Sequence, residues 1–335
     1  MPEPVPHPDR KADHLRIAAE PDVVGAVATG LDEVRLRHRA LPGRDLADVV
    51  LTTDLLGVRL AAPLFVSAMT GGTASAEAIN QALARAAAEH GVALTLGSGR
   101  PLLDDPDLLR TYRSAARPPL LLANLGASQL HDDRAARLVD LLDADGLSIH
   151  LNPVQEAVQP EGTPAFAHAV EAIAATVAAL APLPVVVKEV GFGMDGAAVA
   201  LLCEAGVAAI DVAGAGGTNW ATIEGRRDPR AQRVAAAFGG WGVPTADAIR
   251  AAVAATGGHD TIAVIASGGV RDGVEAAKCL ALGARAAGLA RPFLLAAQAG
   301  QASAAVEAVI SQLRIATWAA GAPSSAALGP EHRAA

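Results

Sequence analysis

Eight short apolar runs, each followed by a turn and a helix-like stretch, set the strongest limit on what this chain can become. They are PLFVSAM from Pro63, GVALTLG from Gly91, PLLLANLG from Pro119, GLSIHLN from Gly146, PVVVKEVG from Pro184, AAIDVAG from Ala208, TIAVIASGG from Thr261 and RAAGLARPF from Arg285. The first three intervals, start to start, are 28, 28 and 27 residues, the length of one βα unit with short loops. An open doubly wound sheet usually stops at about five or six strands. Eight repeats therefore predict an α/β fold closed into a (β/α)8 TIM barrel, a form that runs to about 250 residues. The chain has 335 residues, so a barrel is expected over 63–325, with an N-terminal extension over 1–62 packing on it.

Hydrophobic residues make up 51% and charged residues 19%, enough apolar content to bury a sizeable core and too little charge for a disordered chain. Aromatics are only 3%, and a core of Ala, Val and Leu favours close-packed helices over a β-sandwich. The net charge of −8 gives no global attraction for nucleic acid or an anionic membrane, so any anionic ligand needs a local site. Cys203 and Cys279 lie far apart in helical contexts, which speaks against a disulfide framework or a zinc site. The start MPEPVPHPDRK lacks an apolar signal core, and no run approaches the roughly 18 apolar residues of a membrane span. A cytoplasmic protein is the expectation.

Between the strands, Ala74 to His90 reads as a helix stopped by Gly91, and Asp133 to Asp143 as another with one charged face. The longest βα connection, Ala215 to about Pro244, carries Gly216, Gly217, Trp220, Arg226 and Arg227 and reads as a lid or a flexible segment. The Pro-flanked HPDRK segment is expected to stay flexible until a ligand arrives.

Alternate residues of a barrel strand point inward, and active sites sit at the strands' C-terminal ends. In Gly146 to Asn152, Leu147, Ile149 and Leu151 should face the helices, leaving Ser148, His150 and Asn152 inside. Polar side chains in a barrel need partners or a ligand, and Gln155 and Glu156 follow at once. Other strand ends add Met69 and Thr70, Ser98 and Arg100, Asn124, Lys188, and Gly216 to Thr218. Lys188 ends an apolar VVVK run, so it pairs either with Asp211 on the next strand or with an electron-rich ligand. ASGGVR and AGLARP, at the seventh and eighth positions, match the glycine and helix-start arrangement that holds phosphate in many barrels. FMN suits a terminal phosphate there with a head group near Lys188, Asn124 and Met69, because a lysine stabilises the charge that reduction places on the flavin.

These residues resemble the type 2, flavin-dependent isopentenyl diphosphate isomerases. The resemblance runs in order through RKADH, AMTGGT, GSGR, ANLG, SIHLNPVQE, KEVGFG, DVAGAGGTNWATIEGRR, ASGGVRDG and GLARPFL, nearly the whole chain. It implies interconversion of isopentenyl and dimethylallyl diphosphate with reduced FMN, Mg2+ and NADPH as reductant, in a homo-oligomer such as a tetramer or octamer. It also implies that Ala68, Met69, Thr70, Ser98, Asn124, Lys188, Thr218, Gly268 and Gly269 contact FMN, with Leu289 and Ala290 near its phosphate. Arg10, Lys11, Ser98, Arg100 and Gln155 would hold the prenyl diphosphate, and Glu156 would bind Mg2+. Gln155, His150 and Asn152 form the expected catalytic set, Gln155 orienting or relaying a proton while the other two help clamp the diphosphate.

Two positions depart from that pattern. Gly99 replaces the glutamine of GSQR, beside the substrate loop, and Ala213 replaces a serine before GxGGT, where one flavin hydrogen bond of about 0.5–1.5 kcal/mol is at stake. Rival readings are a 2-hydroxy acid oxidase, which needs a histidine that DVAGAGGTNW and ASGGVR lack, and an inosinate-type dehydrogenase, which needs a loop cysteine. A silent flavin-binding paralogue and an enzyme for another prenyl substrate also remain on this reading.

Overall fold

A computed structural model describes residues 7–257 and 262–334; Thr261, the first residue of the seventh strand-like run, lies outside the described residues, as do 1–6 of the extension. The extension contains helix α1 (His7–Ala18) and a hairpin of β1 (Thr53–Leu55) and β2 (Val58–Leu60). The hairpin turns at Leu56 and Gly57, both with positive φ (51° and 78°), the tight geometry that matches strand twist. It was not foreseen, because three-residue strands leave almost no alternation to read.

Eight parallel strands follow: β3 (Leu64–Val66), β4 (Ala93–Thr95), β5 (Leu121–Gly126), β6 (Gly146–His150), β7 (Val185–Lys188), β8 (Ala209–Asp211), β9 (Ala263–Ala266) and β10 (Ala286–Leu289). Each pairs with its sequence neighbour, and β10 pairs with β3 through Ala287 and Leu64, closing the barrel as the repeat predicts. Leu55 and Leu60 of the hairpin share a buried cluster with Phe65, Ala93, Leu120, Ala209 and Ala286, residues at the early ends of the strands. The hairpin thus plugs the N-terminal mouth with hydrocarbon, and polar side chains are left for the opposite end.

The helices are α2 (Ala74–His90), α3 (Arg100–Asp104), α4 (Arg134–Leu142), α5 (Pro153–Val158), α6 (Ala169–Leu180), α7 (Gly196–Glu204), α8 (Trp220–Arg227), α9 (Pro229–Ala236), α10 (Thr245–Ala255), α11 (Gly273–Ala281), α12 (Arg291–Gln298) and α13 (Ala302–Ala319). Thr73 starts α2 by accepting the Ala76 N–H at 3.1 Å, and Gly91 ends it at φ 63°, where a Cβ would be penalised. Among the described residues no helix is long and apolar enough to cross a membrane.

Two expectations are corrected. The connection after β8 is not a flexible loop: it holds α8, capped by Asn219 on the Thr222 N–H at 2.9 Å, and α9, capped by Asp228 on the Arg230 N–H at 2.8 Å. HPDRK, in turn, opens helix α1 rather than a loop. Pro8 sits in the first turn of α1, where its missing N–H costs nothing, and Leu15, Ile17 and Ala18 are buried in the main core.

Candidate active site

A cavity of about 380 Å3 opens at the C-terminal ends of the strands, within the size range of small-molecule sites. Ala68, Met69, Ser98, Asn124, Lys188, Thr218, Gly268, Gly269 and Ala290 line it, together with Arg10, Lys11, Arg100, His150, Asn152, Gln155 and Glu156. Thr70 and Leu289 lie buried in its wall instead; the Thr70 carbonyl accepts from Asn80 Nδ2 at 3.1 Å and the Leu289 carbonyl from the Ser67 N–H at 3.0 Å.

One side of the cavity is made mostly of backbone. Gly268 and Gly269 adopt φ of +98° and +71°, and a Cβ at 268 would stand 2.1 Å from the Gly214 carbonyl oxygen. A Cβ on Gly217 would meet the Gly269 nitrogen at 2.5 Å, so the ends of β8 and β9 come together only because they carry no side chains there. Above β3, the hydroxyls of Ser67 and Thr70 are buried without a hydrogen-bond partner. Buried hydroxyls are normally satisfied, so this pair and the glycine cradle fit a polar, phosphate-bearing ring system such as FMN. Ser67 escaped the sequence reading because nothing separates it from an ordinary strand serine. Ala213 also lines this side, at φ 34°, and removes a hydroxyl from the wall.

Lys188 stands beside Asp211 in the β7–β8 register, yet its Nζ donates to the Glu189 carbonyl at 2.5 Å. Asp211 instead accepts from Ser267 Oγ at 2.6 Å. Burial raises the Asp211 pKa, with Lys188 working in the other direction. Glu189, also buried, accepts the backbone N–H groups of Gly191, Phe192 and Gly193 on one oxygen, and burial still pushes its pKa up to about 7.

The other side is a chain of charges. His150 lies 2.9 Å through Nδ1 from Asn124 Oδ1, a bond that makes Nδ1 the protonated nitrogen and Nε2 the acceptor. Burial, then Lys188, Lys11 and Arg10, hold its pKa down to about 3, so the ring is neutral. Asn152 Nδ2 donates to Gln155 Oε1 and Glu156 Oε1, each at 3.1 Å, and the Thr163 N–H reaches Glu156 Oε2 at 2.7 Å. Gln155 Nε2 donates to Glu224 Oε1 at 2.8 Å. Glu224 is fully buried; His14 Nε2 lies 2.9 Å away and Arg227 Nη1 2.5 Å away. Burial opposes its ionisation, but His14, Arg227 and Gln155 together outweigh burial and bring the pKa to about 2. Arg227 continues to Glu161 at 2.9 Å, and Arg10 Nε stands 3.8 Å from the same carboxylate.

Glu224, His14 and Glu161 were missed as site residues. Only the Glu224 to Arg227 spacing, one turn apart in IEGRR, carried a signal. Lys11 has its pKa pushed down to about 7 by burial, then by Arg10, with Arg100 adding to the effect. Arg10 is lowered by burial, with Arg100 and Arg227 also repelling it. Among the described residues no group of three or more His, Cys, Asp or Glu side chains is placed to hold a metal. Gly99 turns away from the cavity: a Cβ there would strike Leu138 of α4 at 2.4 Å, so this departure touches packing and not the cavity lining.

The family model for FMN-dependent dehydrogenase matches residues 16–101 and 148–334. An isopentenyl-diphosphate delta-isomerase of Stutzerimonas stutzeri is 46% identical over 333 residues, covering 95% of this chain and 94% of that protein. Another, of Synechococcus sp., is 47% identical over 299 residues, covering 87% and 85%. The chain belongs to the isopentenyl-diphosphate delta-isomerase family.

Solved structures show the same barrel in more distant proteins. A flavocytochrome b2 variant with pyruvate bound superposes with a TM-score of 0.69 at 18% identity, over 97% of this chain and 82% of that one. A mandelate oxidase variant with a monooxide FMN adduct gives 0.63 at 22% identity, over 94% and 90%. Arg10, Lys11 and His14 precede the segment matched by the dehydrogenase model, and Asn124 falls in its gap.

Proposed function

We propose that the chain interconverts isopentenyl and dimethylallyl diphosphate, using reduced FMN and Mg2+ with NADPH as the reductant. The observation that carries this reading is the crowding of Arg10, Lys11 and Arg100 along the cavity wall, where Arg100 repels Arg10 and both repel Lys11. Cations that repel one another across a cavity favour an anion between them, and a diphosphate brings about three charges.

In this reading Ala68, Met69, Thr70, Ser98, Asn124, Lys188, Thr218, Gly268 and Gly269 hold FMN, with Leu289 and Ala290 beside its phosphate. The unpartnered Ser67 hydroxyl joins them. Reduced FMN supplies an electron-rich ring and an exchangeable proton at N5. Arg10, Lys11, Ser98, Arg100 and Gln155 hold the substrate. Glu156 would hold Mg2+, since each of its oxygens accepts one hydrogen bond and keeps a lone pair, the hard anionic oxygen that this ion takes.

Moving the double bond adds a proton at one carbon and removes one at another, in a space from which water must be kept. Gln155 is tied at both ends of its amide, to Asn152 and Glu224. It therefore orients the reacting hydrocarbon and relays no proton by itself. Neutral His150, with Nδ1 donating to Asn124, offers Nε2 only as an acceptor, so it suits an ordered water or another donor rather than a phosphate oxygen, and Asn152 fixes Gln155 and Glu156 relative to each other. The protein is further proposed to act in the cytoplasm as a homo-oligomer, with residues 1–62 as an extension packing on a barrel of 63–325.

The test is turnover of isopentenyl diphosphate after anaerobic reduction of the FMN-loaded protein. Product should form only after reduction and without stoichiometric NADPH use. Sustained NADPH consumption matched one for one to product would overturn the reading in favour of an oxidoreductase.

A further inference from the structure

We propose that Arg291 is a positioning residue that sets the pose of α1, and with it the reach of Arg10 and Lys11 into the cavity. A helix leaves its last carbonyls without intrahelical partners, and Ala18 and Ala19 at the end of α1 bring no side chain that could cap them. Arg291, the first residue of α12, supplies the missing donors. Its Nε donates to the Ala18 carbonyl at 3.0 Å, and its Nη2 to the Ala19 and Glu20 carbonyls at 3.1 and 3.0 Å. A planar guanidinium matches such adjacent acceptors as an ammonium cannot, and a cation at a helix C-terminus is further favoured by the dipole.

Arg16, in the same last turn, is exposed and spent on Asp13 and Glu20. Arg226 clips the following segment through Glu20 and Asp22, but it touches no carbonyl of α1. Lys11 and Arg10 lie two turns back from Ala18, a lever of roughly 11 Å at ~1.5 Å rise per residue. A small change in angle at the clamp therefore becomes a displacement at the cations. Arg291, like Ala290 before it, lines the cavity together with Gly268 and Gly269, so the clamp ties α1 to the proposed phosphate end. Leu15 and Ile17 anchor α1 in the core independently of the guanidinium, so loss of Arg291 is expected to alter the pose of α1 and not the fold.

The substrate part of this proposal rests on the function proposed above; the part about α1 does not. The experiment compares FMN-loaded wild type, Arg291→Ala and Arg291→Lys by hydrogen exchange over residues 14–20 and by steady-state kinetics with isopentenyl diphosphate. In Arg291→Ala, measured at saturating FMN because Arg291 also lines the cavity, exchange should quicken about tenfold and KM rise about tenfold, with kcat within about twofold; the lysine variant should recover less than half of either effect. Unchanged α1 exchange overturns the clamp whatever the kinetics show. Quickened exchange with unchanged KM, or full rescue by lysine, overturns the positioning role. A wild type that turns over no substrate overturns the proposed function, and the exchange result is still decisive for the clamp.

Discussion

The two sides of the cavity are built on opposite principles. The glycine side achieves its shape by leaving side chains out, so that Gly217, Gly268 and Gly269 bring backbone to within a Cβ radius of other backbone. The charged side is filled by side chains whose partners are each other: Asn152 to Gln155 and Glu156, Gln155 to Glu224, Glu224 to Arg227 and His14. The first tolerates no added atom, and the second tolerates the loss of none. Substitutions should therefore damage them in different ways, one through strain and the other through uncompensated charge.

The largest effect is expected from Gly268→Ala. A methyl group placed 2.1 Å from a carbonyl oxygen at φ +98° should cost about 3 kcal/mol or more of stability and abolish flavin retention. Thermal unfolding and flavin fluorescence quenching read both losses; normal FMN affinity in this variant would remove the contrast between the two sides. Next in size are two neighbours on the charged side. Glu156→Gln should lower turnover about 100-fold and recover in part with excess Mg2+, because the amide is a poorer ligand for a hard cation. Gln155→Ala should fall by a similar factor with no metal rescue and with FMN still bound, so equal rescue of both would show that the division of labour is wrong.

Arg10→Ala should raise KM about tenfold, equivalent to about 1.4 kcal/mol, with FMN binding intact. The loss should shrink in high salt as screening weakens the wild-type advantage. The smallest effect is a pH dependence. Lys11 titrates near 7, so raising the pH from 6 to 8 strips a proton that favours diphosphate, and KM should climb several-fold. Lys11→Met should start high and stay flat; a wild-type profile equally flat would place the proton elsewhere. Stability should rise with pH for both depressed groups, but in different windows. The penalty for charged Lys11 is fully present below about 7 and fades as pH rises toward 10.5, whereas the contribution of ionised Glu224 is present above 4.5 and is lost as pH falls toward 2.

What could be read in the sequence follows the same division. Repeating strands and paired glycines are local signals, and each of the eight runs became a strand of the barrel. The alternation through Ser148, His150 and Asn152 likewise put His150 and Asn152 at the cavity wall. The charged network is not local. Gln155 and Glu224 are 69 positions apart, and His14 meets Glu224 from another element altogether, so no window of sequence contains the pair. Two proline residues near Arg10 read as loop chemistry, and only burial of Leu15 and Ile17 against the barrel decides for helix. Gly99 shows the limit from the other direction: its place beside the substrate loop was legible, but the fact that its missing side chain would face Leu138 was not.

The seam between β10 and β3 has a consequence for how the protein is made. Strand β3 leaves the ribosome more than two hundred residues before β10 (286 against 64), and it must wait for that partner with one edge unpaired. The end of α1 waits even longer for its donors, since Ala18 is bonded to a residue 273 positions later. A nascent chain cut short before residue 291 thus has every cation of the charged side and no means of placing the first two. Competence arrives late, only once β10 and Arg291 have been made, and until then the unpaired edge of β3 is the surface that most needs protection from other chains.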